Sequence, residues 1–194
     1  MEKKESYLEE KLLKYIEVFK GKLLGLSVNK VELPDKNITE REVVSHPGAV
    51  AIVPITSKYE VVMVRQYRFA IGKQTLELPA GTLEEDEKPI ICAKRELEEE
   101  IGMRAKEWER MISIYPSPGY CNEIIHIYLA KELEDLHKEN NIKEKTLNIK
   151  KSERDEFINK VVIPLNEAKD KIFSGEITDA KTIIGILLAT KNII

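Results

Sequence analysis

Short apolar segments separated by polar turns dominate the first third of the chain. Residues 23–33 and 39–44 flank a turn that contains Pro, Asp and Asn, and they predict an antiparallel pair of strands. Residues 48–55 and 60–67 are richer in β-branched side chains and predict two strands of the core. Residues 1–20, in contrast, are charged with scattered Leu, Tyr and Ile. That pattern predicts a weak helix or a fraying end.

After residue 88, the apolar residues recur with the period of an α-helix. Pro89 suits a first helical turn and Gly102 suits a C-terminal cap, so these two residues bound the predicted helix. Apolar residues at helical spacing predict the face that packs on the core. These residues are Ile90, Ala93, Leu97 and Ile101.

Strands and helices alternate in the second half of the chain. We expect strands at residues 108–115, 123–130 and 157–163. We expect helices at residues 166–173 and 179–189, the last one capped by the Asp at its start. Strands that flank a central helix and precede terminal helices predict an α/β or α+β fold, in which helices cover a mixed sheet.

Composition and charge limit the class of protein. The 194 residues, 42% apolar and 34% charged, suffice for one well-cored domain with a smaller appendage. The net charge of −3 argues against nucleic acid as a partner, because duplex binders concentrate Lys and Arg on one face. No stretch approaches the roughly 18 apolar residues of a membrane span. Because the N-terminal charges precede no apolar segment and the cysteines are just Cys92 and Cys121, we expect a soluble, cytoplasmic protein without a membrane partner.

The charged face of the predicted helix carries the candidate chemistry. Each helical residue turns about 100°, so Glu96 and Glu100 lie one above the other, with Glu99 beside them. A cation relieves their mutual repulsion, and oxygen-only ligands favour Mg²⁺ or Mn²⁺. Arg95 precedes Glu99 by four residues and is placed to fix its rotamer. The simpler alternative is a solvated acidic face. Cys92, four residues before Glu96, is either a soft-metal ligand or a buried thiol.

The spacing of these residues belongs to a longer pattern. Gly81 is followed after five residues by Glu87, and after seven more by Arg-Glu-Leu-Glu-Glu-Glu-Ile-Gly-Met at residues 95–103. This run resembles the Nudix box of hydrolases that cleave nucleoside diphosphates linked to another moiety. The resemblance implies a Nudix α/β/α sandwich with a mixed sheet, and a Gly81 turn that brings the preceding carbonyl toward a metal. The implied metal ligands are Ala80 (through its carbonyl), Glu96, Glu100 and Glu99, and the implied supporting or catalytic residues are Arg95, Glu99 and Glu87.

A second set of motifs resembles the ADP-ribose pyrophosphatase branch of this family. Pro118 lies 15 residues past Met103, within the sequence Ser-Pro-Gly-Tyr-Cys-Asn-Glu at residues 117–123. The other matching segments are residues 41–44, 46–50, 65–68, 77–81 and 179–182. The branch implies that ADP-ribose and water give AMP and ribose 5-phosphate.

The same resemblance assigns contacts to the substrate. The implied substrate-binding residues are Arg41, Arg65, Arg68, Glu77, Pro118, Gly119 and Glu123. Arg41 and Arg68 would meet the phosphates, and Glu123 would contact a sugar or support the site. Taken alone, each arginine would be interpreted as an ordinary surface residue. Tyr120 has two alternative roles: it either stacks on the ligand or is an ordinary loop residue.

The catalytic base is expected in the polar stretch at residues 131–156. In the family, the carboxylate that takes the proton of the attacking water often lies on a mobile loop just before a strand. Glu153 matches best by its distance from Phe157, and Glu156 is the second candidate. The stretch looks longer than in relatives, and we expect the loop to close over the substrate.

The resemblance also divides the chain. It implies a small N-terminal antiparallel β subdomain at residues 1–45 and a Nudix hydrolase domain at residues 46–194. Relatives are often dimers in which the N-terminal strands pack on the partner, so we expect a homodimer. An autonomous subdomain would give the same pattern. The competing functions are hydrolysis of another ADP-sugar or NADH, binding of ADP-ribose without catalysis, and binding of basic partners by an acidic helix.

Overall fold

The computed structural model describes residues 7–136 and 157–193, with side chains through residue 191. The chain consists of two compact units, and each unit is formed by two separate stretches of sequence. The first unit consists of Met1–Gly48 and Tyr115–Glu123, and the second of Ala49–Ile114 and Ile124–Ile194. The boundary expected between residues 45 and 46 stays a prediction.

The first unit contains an antiparallel sheet in the order β1-β2-β3. Its strands are β1 (Lys11–Lys20), β2 (Gly25–Glu32) and β3 (Ile38–Ser45). The predicted strand pair around the Pro-containing turn is confirmed as β2 and β3. Residues 115–123 join this sheet through backbone hydrogen bonds. Val44 N–H donates to the Tyr120 carbonyl (2.7 Å), and Asn122 N–H donates to the Val44 carbonyl (3.2 Å).

Strand β1 corrects the prediction of a weak helix or fraying end for residues 1–20. The segment pairs with β2 along its length, from Lys11 opposite Glu32 to Lys20 opposite Gly25. Tyr, Ile, Val and Phe within it favour extended backbone, and pairing with β2 satisfies the backbone groups on one side. Every residue of β1 is exposed, so burial gives this strand no alternating pattern that a sequence could reveal.

The second unit contains the predicted core strands and helices. Its strands are β4 (Ala49–Pro54), β5 (Glu60–Arg68), β6 (Lys73–Glu77), β7 (Ala80–Thr82), β8 (Met103–Ile114), β9 (Ile125–Asp135) and β10 (Asn159–Pro164). Its helices are α1 (Pro89–Ile101), α2 (Leu165–Phe173) and α3 (Ala180–Ile193), with a short 3₁₀ turn at Phe69–Ile71.

The strands of the second unit form two sheets. One sheet has the order β7-β4-β9-β8, in which β4 and β9 are parallel and the other pairs antiparallel. The other sheet is antiparallel, in the order β10-β5-β6. The first sheet is therefore mixed, as predicted.

Alternate residues of β4 face different helices. Val50 and Ile52 belong to a buried cluster with the α1 residues Ala93 and Leu97. Ala51 and Val53 belong to a second cluster with residues of α2 and α3. Because α1 packs on one face of the mixed sheet and α3 on the other, with α2 against α3 and the β10-β5-β6 sheet, the predicted α/β/α sandwich is confirmed. Among the described residues, we find no helix with the length and apolar character needed to span a membrane.

Candidate active site

The local sequence sets both ends of α1. Pro89 occupies the first turn, where its missing N–H costs no hydrogen bond. Gly102 ends the helix in the left-handed conformation (φ 65°), and its N–H donates to the Glu98 carbonyl. The predicted apolar stripe packs on the core, but the buried face also includes Glu96 and Glu100. The acidic face is therefore only partly solvated, which disfavours the simpler alternative for these two residues.

Glu96 is 1% exposed, an unusual position for a carboxylate. Its carboxyl group lies directly against Gly81, where a Cβ atom would overlap it. Gly81 does not have a positive φ, so glycine is not required there for a left-handed turn. The missing side chain at Gly81 makes room for Glu96, and the role of Gly81 in bringing the Ala80 carbonyl toward a metal stays a prediction.

Arg95 connects three carboxylates of the box. Its Nη1 donates to Glu96 Oε1 (2.6 Å) and to Glu99 Oε2 (3.1 Å), and the second contact confirms the predicted bond. Its Nε and Nη2 donate to the two carboxylate oxygens of Glu87 at 3.0 and 2.9 Å. These hydrogen bonds are the main reason that the pKa of Glu87 falls to about 2. Glu87 also accepts the N–H of Glu84, so it supports the loop before α1, as predicted.

Glu100 ties α1 to β7. Its Oε2 accepts the N–H of Ala80 at 3.0 Å, and its side chain is almost fully buried. Ala80 is the residue whose carbonyl is the predicted metal ligand, so the helix fixes the peptide next to that carbonyl. Glu100 and Ala80 are thus brought together as the sequence suggested.

The donor set suits a hard cation by its chemistry. Glu96, Glu99, Glu100 and the Ala80 carbonyl offer only oxygen, which matches Mg²⁺ or Mn²⁺. Within residues 7–136 and 157–191, no group of three or more His, Cys, Asp or Glu side chains is gathered as a preformed metal cage. Glu96 and Glu99 instead accept hydrogen bonds from Arg95, and Glu100 accepts the Ala80 N–H.

Cys92 is a buried thiol. It has no exposed surface, and its Sγ lies 3.5 Å from the Thr82 carbonyl. Burial raises the pKa of this thiol to about 12, and the other candidate ligands beside it are hard oxygens, which a soft metal does not prefer. The soft-metal alternative is therefore disfavoured.

Glu77 and Arg68, predicted to contact the substrate, bind each other. Arg68 Nε and Nη2 donate to the two Glu77 oxygens at 2.9 and 2.8 Å, and Lys181 Nζ donates to Glu77 Oε2 at 2.6 Å. Glu77 is 2% exposed. Burial alone would raise the pKa of Glu77, but the hydrogen bonds from Arg68 and Lys181 outweigh it and lower the pKa to about 2. Glu77 is therefore a buried partner for two cations, whereas part of the Arg68 guanidinium is accessible to solvent.

Glu77 should make the protein sensitive to acid. Because its folded pKa lies below its ordinary value of 4.5, its stabilisation is present above about pH 4.5 and is lost as the pH falls toward 2. Between pH 6 and pH 3, the free energy of unfolding of the wild type should fall by about 2 kcal/mol more than that of Glu77→Gln. Urea titrations of both proteins at each pH measure the difference. Equal losses would show that Glu77 is not the titrating group.

Arg65, a further phosphate candidate, lies 3.5 Å from Glu176 Oε1 and is more than a third exposed. The remaining substrate candidates belong to the first unit. Arg41 Nε and Nη2 donate to the two carboxylate oxygens of Glu10 at 3.1 and 2.6 Å. Glu123 lies 3.7 Å from His46 Nδ1, which accepts the Gly48 N–H. Their roles toward a substrate stay predictions.

Pro118 and Gly119 are exposed residues of the segment that joins β3, and Tyr120 is exposed beside them. Their roles toward a ligand also stay predictions. Glu153 and Glu156, the two candidates for the catalytic base, lie outside the described residues. Lys181 was missed as a partner of the site, since 104 residues separate it from Glu77. The one signal that pointed to it was the motif at residues 179–182.

Comparison with known proteins identifies the box. The family model described as the NUDIX domain matches residues 45–183. This chain belongs to the Nudix family. The match spans α1, every described strand of the second unit and the beginning of α3, so the buried carboxylates lie within the Nudix domain.

Two curated relatives match the Nudix chain over almost its whole length. It is 42% identical to the methanol dehydrogenase activator of Bacillus methanolicus, over 92% of this chain and 91% of the relative. It is 39% identical to the ADP-ribose pyrophosphatase of Bacillus subtilis (strain 168), with the same two coverages. An ADP-ribose pyrophosphatase of Mycobacterium tuberculosis is 34% identical, over 86% of this chain and 76% of the relative.

A solved structure shares the Nudix fold. The crystal structure of an ADP compounds hydrolase superposes with a TM-score of 0.78 and covers 96% of this chain and 95% of its own. The two sequences are 20% identical, so this likeness concerns the fold alone.

Proposed function

We propose that this Nudix protein hydrolyses the pyrophosphate bond of ADP-ribose to AMP and ribose 5-phosphate, with Mg²⁺ or Mn²⁺ as the cofactor. The arrangement of α1 carries the proposal, because Glu96, Glu99 and Glu100 are all present in the box and two of them are buried beside β7. The Bacillus subtilis ADP-ribose pyrophosphatase, similar over nine-tenths of both chains, supports the choice of substrate.

Each box residue has a distinct task in this proposal. Glu96, Glu99, Glu100 and the Ala80 carbonyl would hold the divalent ion. When bound, that ion supplies positive charge to the pyrophosphate oxygens and lowers the pKa of water. Arg95 fixes the rotamers of Glu96 and Glu99 through its hydrogen bonds, and Glu87 fixes Arg95.

Residues outside the box would bind the substrate and accept the proton of the attacking water. Arg41, Arg65 and Arg68 are the proposed cations for the two phosphates, because guanidinium forks match phosphate oxygens. A carboxylate oxygen of Glu153, or alternatively of Glu156, is the proposed acceptor for the proton of the attacking water. Pro118 and Gly119 are proposed to contact the substrate, and Glu123 is proposed to contact a sugar or to support the site.

A substrate panel tests the proposal. Purified protein with Mg²⁺ should hydrolyse ADP-ribose with a kcat/KM at least about tenfold above that for NADH, GDP-mannose or ATP, because substrate-specific contacts of 1–3 kcal/mol give such ratios. Chromatography of AMP and ribose 5-phosphate measures the products, and EDTA should abolish them. A preference for ATP would contradict the assignment. Binding of ADP-ribose without turnover would identify a non-catalytic module instead.

A second function is favoured by one observation. The relative at 42% identity is a methanol dehydrogenase activator, so this chain is also a candidate activator of a dehydrogenase. The test is to measure the rate of methanol oxidation by Bacillus methanolicus methanol dehydrogenase with NAD⁺ and Mg²⁺, with and without this protein. Faster methanol oxidation would support the second function, and an unchanged rate would reject it.

We also propose that the protein is a cytoplasmic homodimer. Strand β1 lies at the edge of its sheet and exposes more than half of the side chains of Tyr15, Val18 and Phe19. An exposed apolar edge of this kind favours pairing with another chain. Sedimentation equilibrium should give the mass of two chains, and a mass near 22.3 kDa would contradict the dimer. The free thiols of Cys92 and Cys121 suit a reducing compartment, and recovery in the cytosolic fraction of cells tests the location.

A further inference from the structure

A short segment links the end of β6 to the predicted metal ligand. It runs from Glu77 to Ala80 and is called the 77–80 segment here. Glu77, Leu78 and Pro79 are all buried, so their backbone groups need partners inside the protein. Ala80 N–H is bound by Glu100 of α1, and the Pro79 carbonyl accepts the N–H of Ile52.

Helix α3 supplies the partner for Leu78. The Leu78 N–H donates to Thr182 Oγ1 at 2.9 Å, and Thr182 has no exposed surface. The Thr182 hydroxyl in turn donates to Asp179 Oδ2 at 2.6 Å. Because its hydrogen is committed to Asp179, the hydroxyl oxygen is left to accept from Leu78.

Asp179 fixes the orientation of this hydroxyl. Its Oδ2 also accepts the Thr182 N–H at 3.0 Å, which caps the beginning of α3. Its Oδ1 accepts from Lys181 Nζ at 3.0 Å, and the same Nζ binds Glu77. The first turn of α3 therefore binds both the side chain of Glu77, through Lys181, and the backbone N–H of Leu78, through Thr182.

A close approach of α3 provides a second, independent observation. Gly185 lies one turn after Thr182, and a Cβ atom there would come within 2.6 Å of Leu78 Cδ1 and 3.0 Å of Val53 Cγ2. Because Gly185 has no side chain, α3 can pack closely against Leu78. Leu78 is thus held by α3 at its amide and at its side chain, while Glu100 holds Ala80 from α1.

We propose that Thr182, oriented by Asp179, is a positioning residue for the metal site, holding the 77–80 segment so that the Ala80 carbonyl meets the cation held by α1. The inference rests on the proposed function, because it assigns that carbonyl to a bound Mg²⁺ or Mn²⁺. Groups that orient the direct ligands of a metal change metal affinity or activity by about 10–100-fold when removed.

Mn²⁺ binding to the full-length protein tests the proposal without turnover. Thr182→Val keeps the shape of the side chain and removes the hydroxyl, so the Kd for Mn²⁺, measured by electron paramagnetic resonance, should rise about tenfold. Thr182→Ser restores the hydroxyl and should return the Kd to within about twofold of the wild type. Thr190→Val is the matched control on the same helix, since the Thr190 hydroxyl donates only to the Ile186 carbonyl among the contacts of the described residues.

Other outcomes separate the inference from the proposed function. An unchanged Kd in folded Thr182→Val would overturn the role of Thr182 while leaving the proposed function intact. A wild type that neither binds Mn²⁺ nor hydrolyses ADP-ribose would overturn both. If circular dichroism shows Thr182→Val to be unfolded, Asp179→Asn replaces it. This variant keeps a helix cap but loses one carboxylate acceptor, and a Kd equal to that of the wild type would again overturn the role.

Discussion

Glu100→Gln should lower kcat for ADP-ribose by about 100-fold, because it removes the charge of a proposed metal ligand. The amide oxygen of glutamine can still accept the Ala80 N–H, so the fold around β7 should persist. Initial rates at saturating Mg²⁺ give kcat, and circular dichroism checks the fold.

Glu98→Gln is the matched control for this prediction. Glu98 belongs to the same run of glutamates, but its carboxylate is exposed and pairs with Arg104 at 2.7 Å. Its replacement should leave kcat within about twofold, because an exposed ion pair contributes little. If Glu98→Gln and Glu100→Gln had the same activity, the carboxylate of Glu100 would have no place in the metal site.

Arg95→Met should reduce the free energy of unfolding by about 3 kcal/mol, because it removes the counter-charge beside the buried Glu96 carboxylate. It should also reduce turnover, since Glu96 and Glu99 lose the group that fixes their rotamers. Urea unfolding in EDTA measures the stability. Mg²⁺ should restore part of the loss, because the cation replaces some of the missing charge.

Arg104→Met makes the corresponding change at the surface. Arg104 is 60% exposed where it meets Glu98, so its loss should cost less than about 1 kcal/mol. Arg95→Lys keeps the charge without the forked geometry and should fall between the wild type and Arg95→Met. Equal stability of Arg95→Met and Arg104→Met would show that Arg95 is not the stabilising counter-charge of the buried Glu96 carboxylate.

Local signals in the sequence were sufficient to predict α1 and the hydrogen bond between Arg95 and Glu99. Pro89 and Gly102 mark the ends of the helix, and the i,i+4 spacing of Arg95 and Glu99 gives their hydrogen bond. These features depend on residues within one or two turns of each other. The depth of Glu96 was not predicted, because it depends on β7 packing against α1 at Gly81.

Long-range contacts explain most of what the sequence did not reveal. Lys181 and Glu77 are 104 residues apart, and no local period connects them. Strand β1 was missed because its side chains are exposed on both faces, so that its pairing with β2, rather than burial, determines its conformation. Glu77 was assigned to the substrate by its motif, and that role stays a prediction, whereas its ion pairs with Arg68 and Lys181 were not predicted.

Hydrolysis of ADP-ribose in ¹⁸O-labelled water with Mg²⁺ tests the central claim most directly. The account predicts one ¹⁸O atom in either AMP or ribose 5-phosphate by mass spectrometry, since the attacking oxygen comes from water. It also predicts that labelled products are absent with EDTA and scarce with Glu100→Gln. Intact ADP-ribose after incubation with the wild type and Mg²⁺, or labelled products formed equally fast in EDTA, would contradict it.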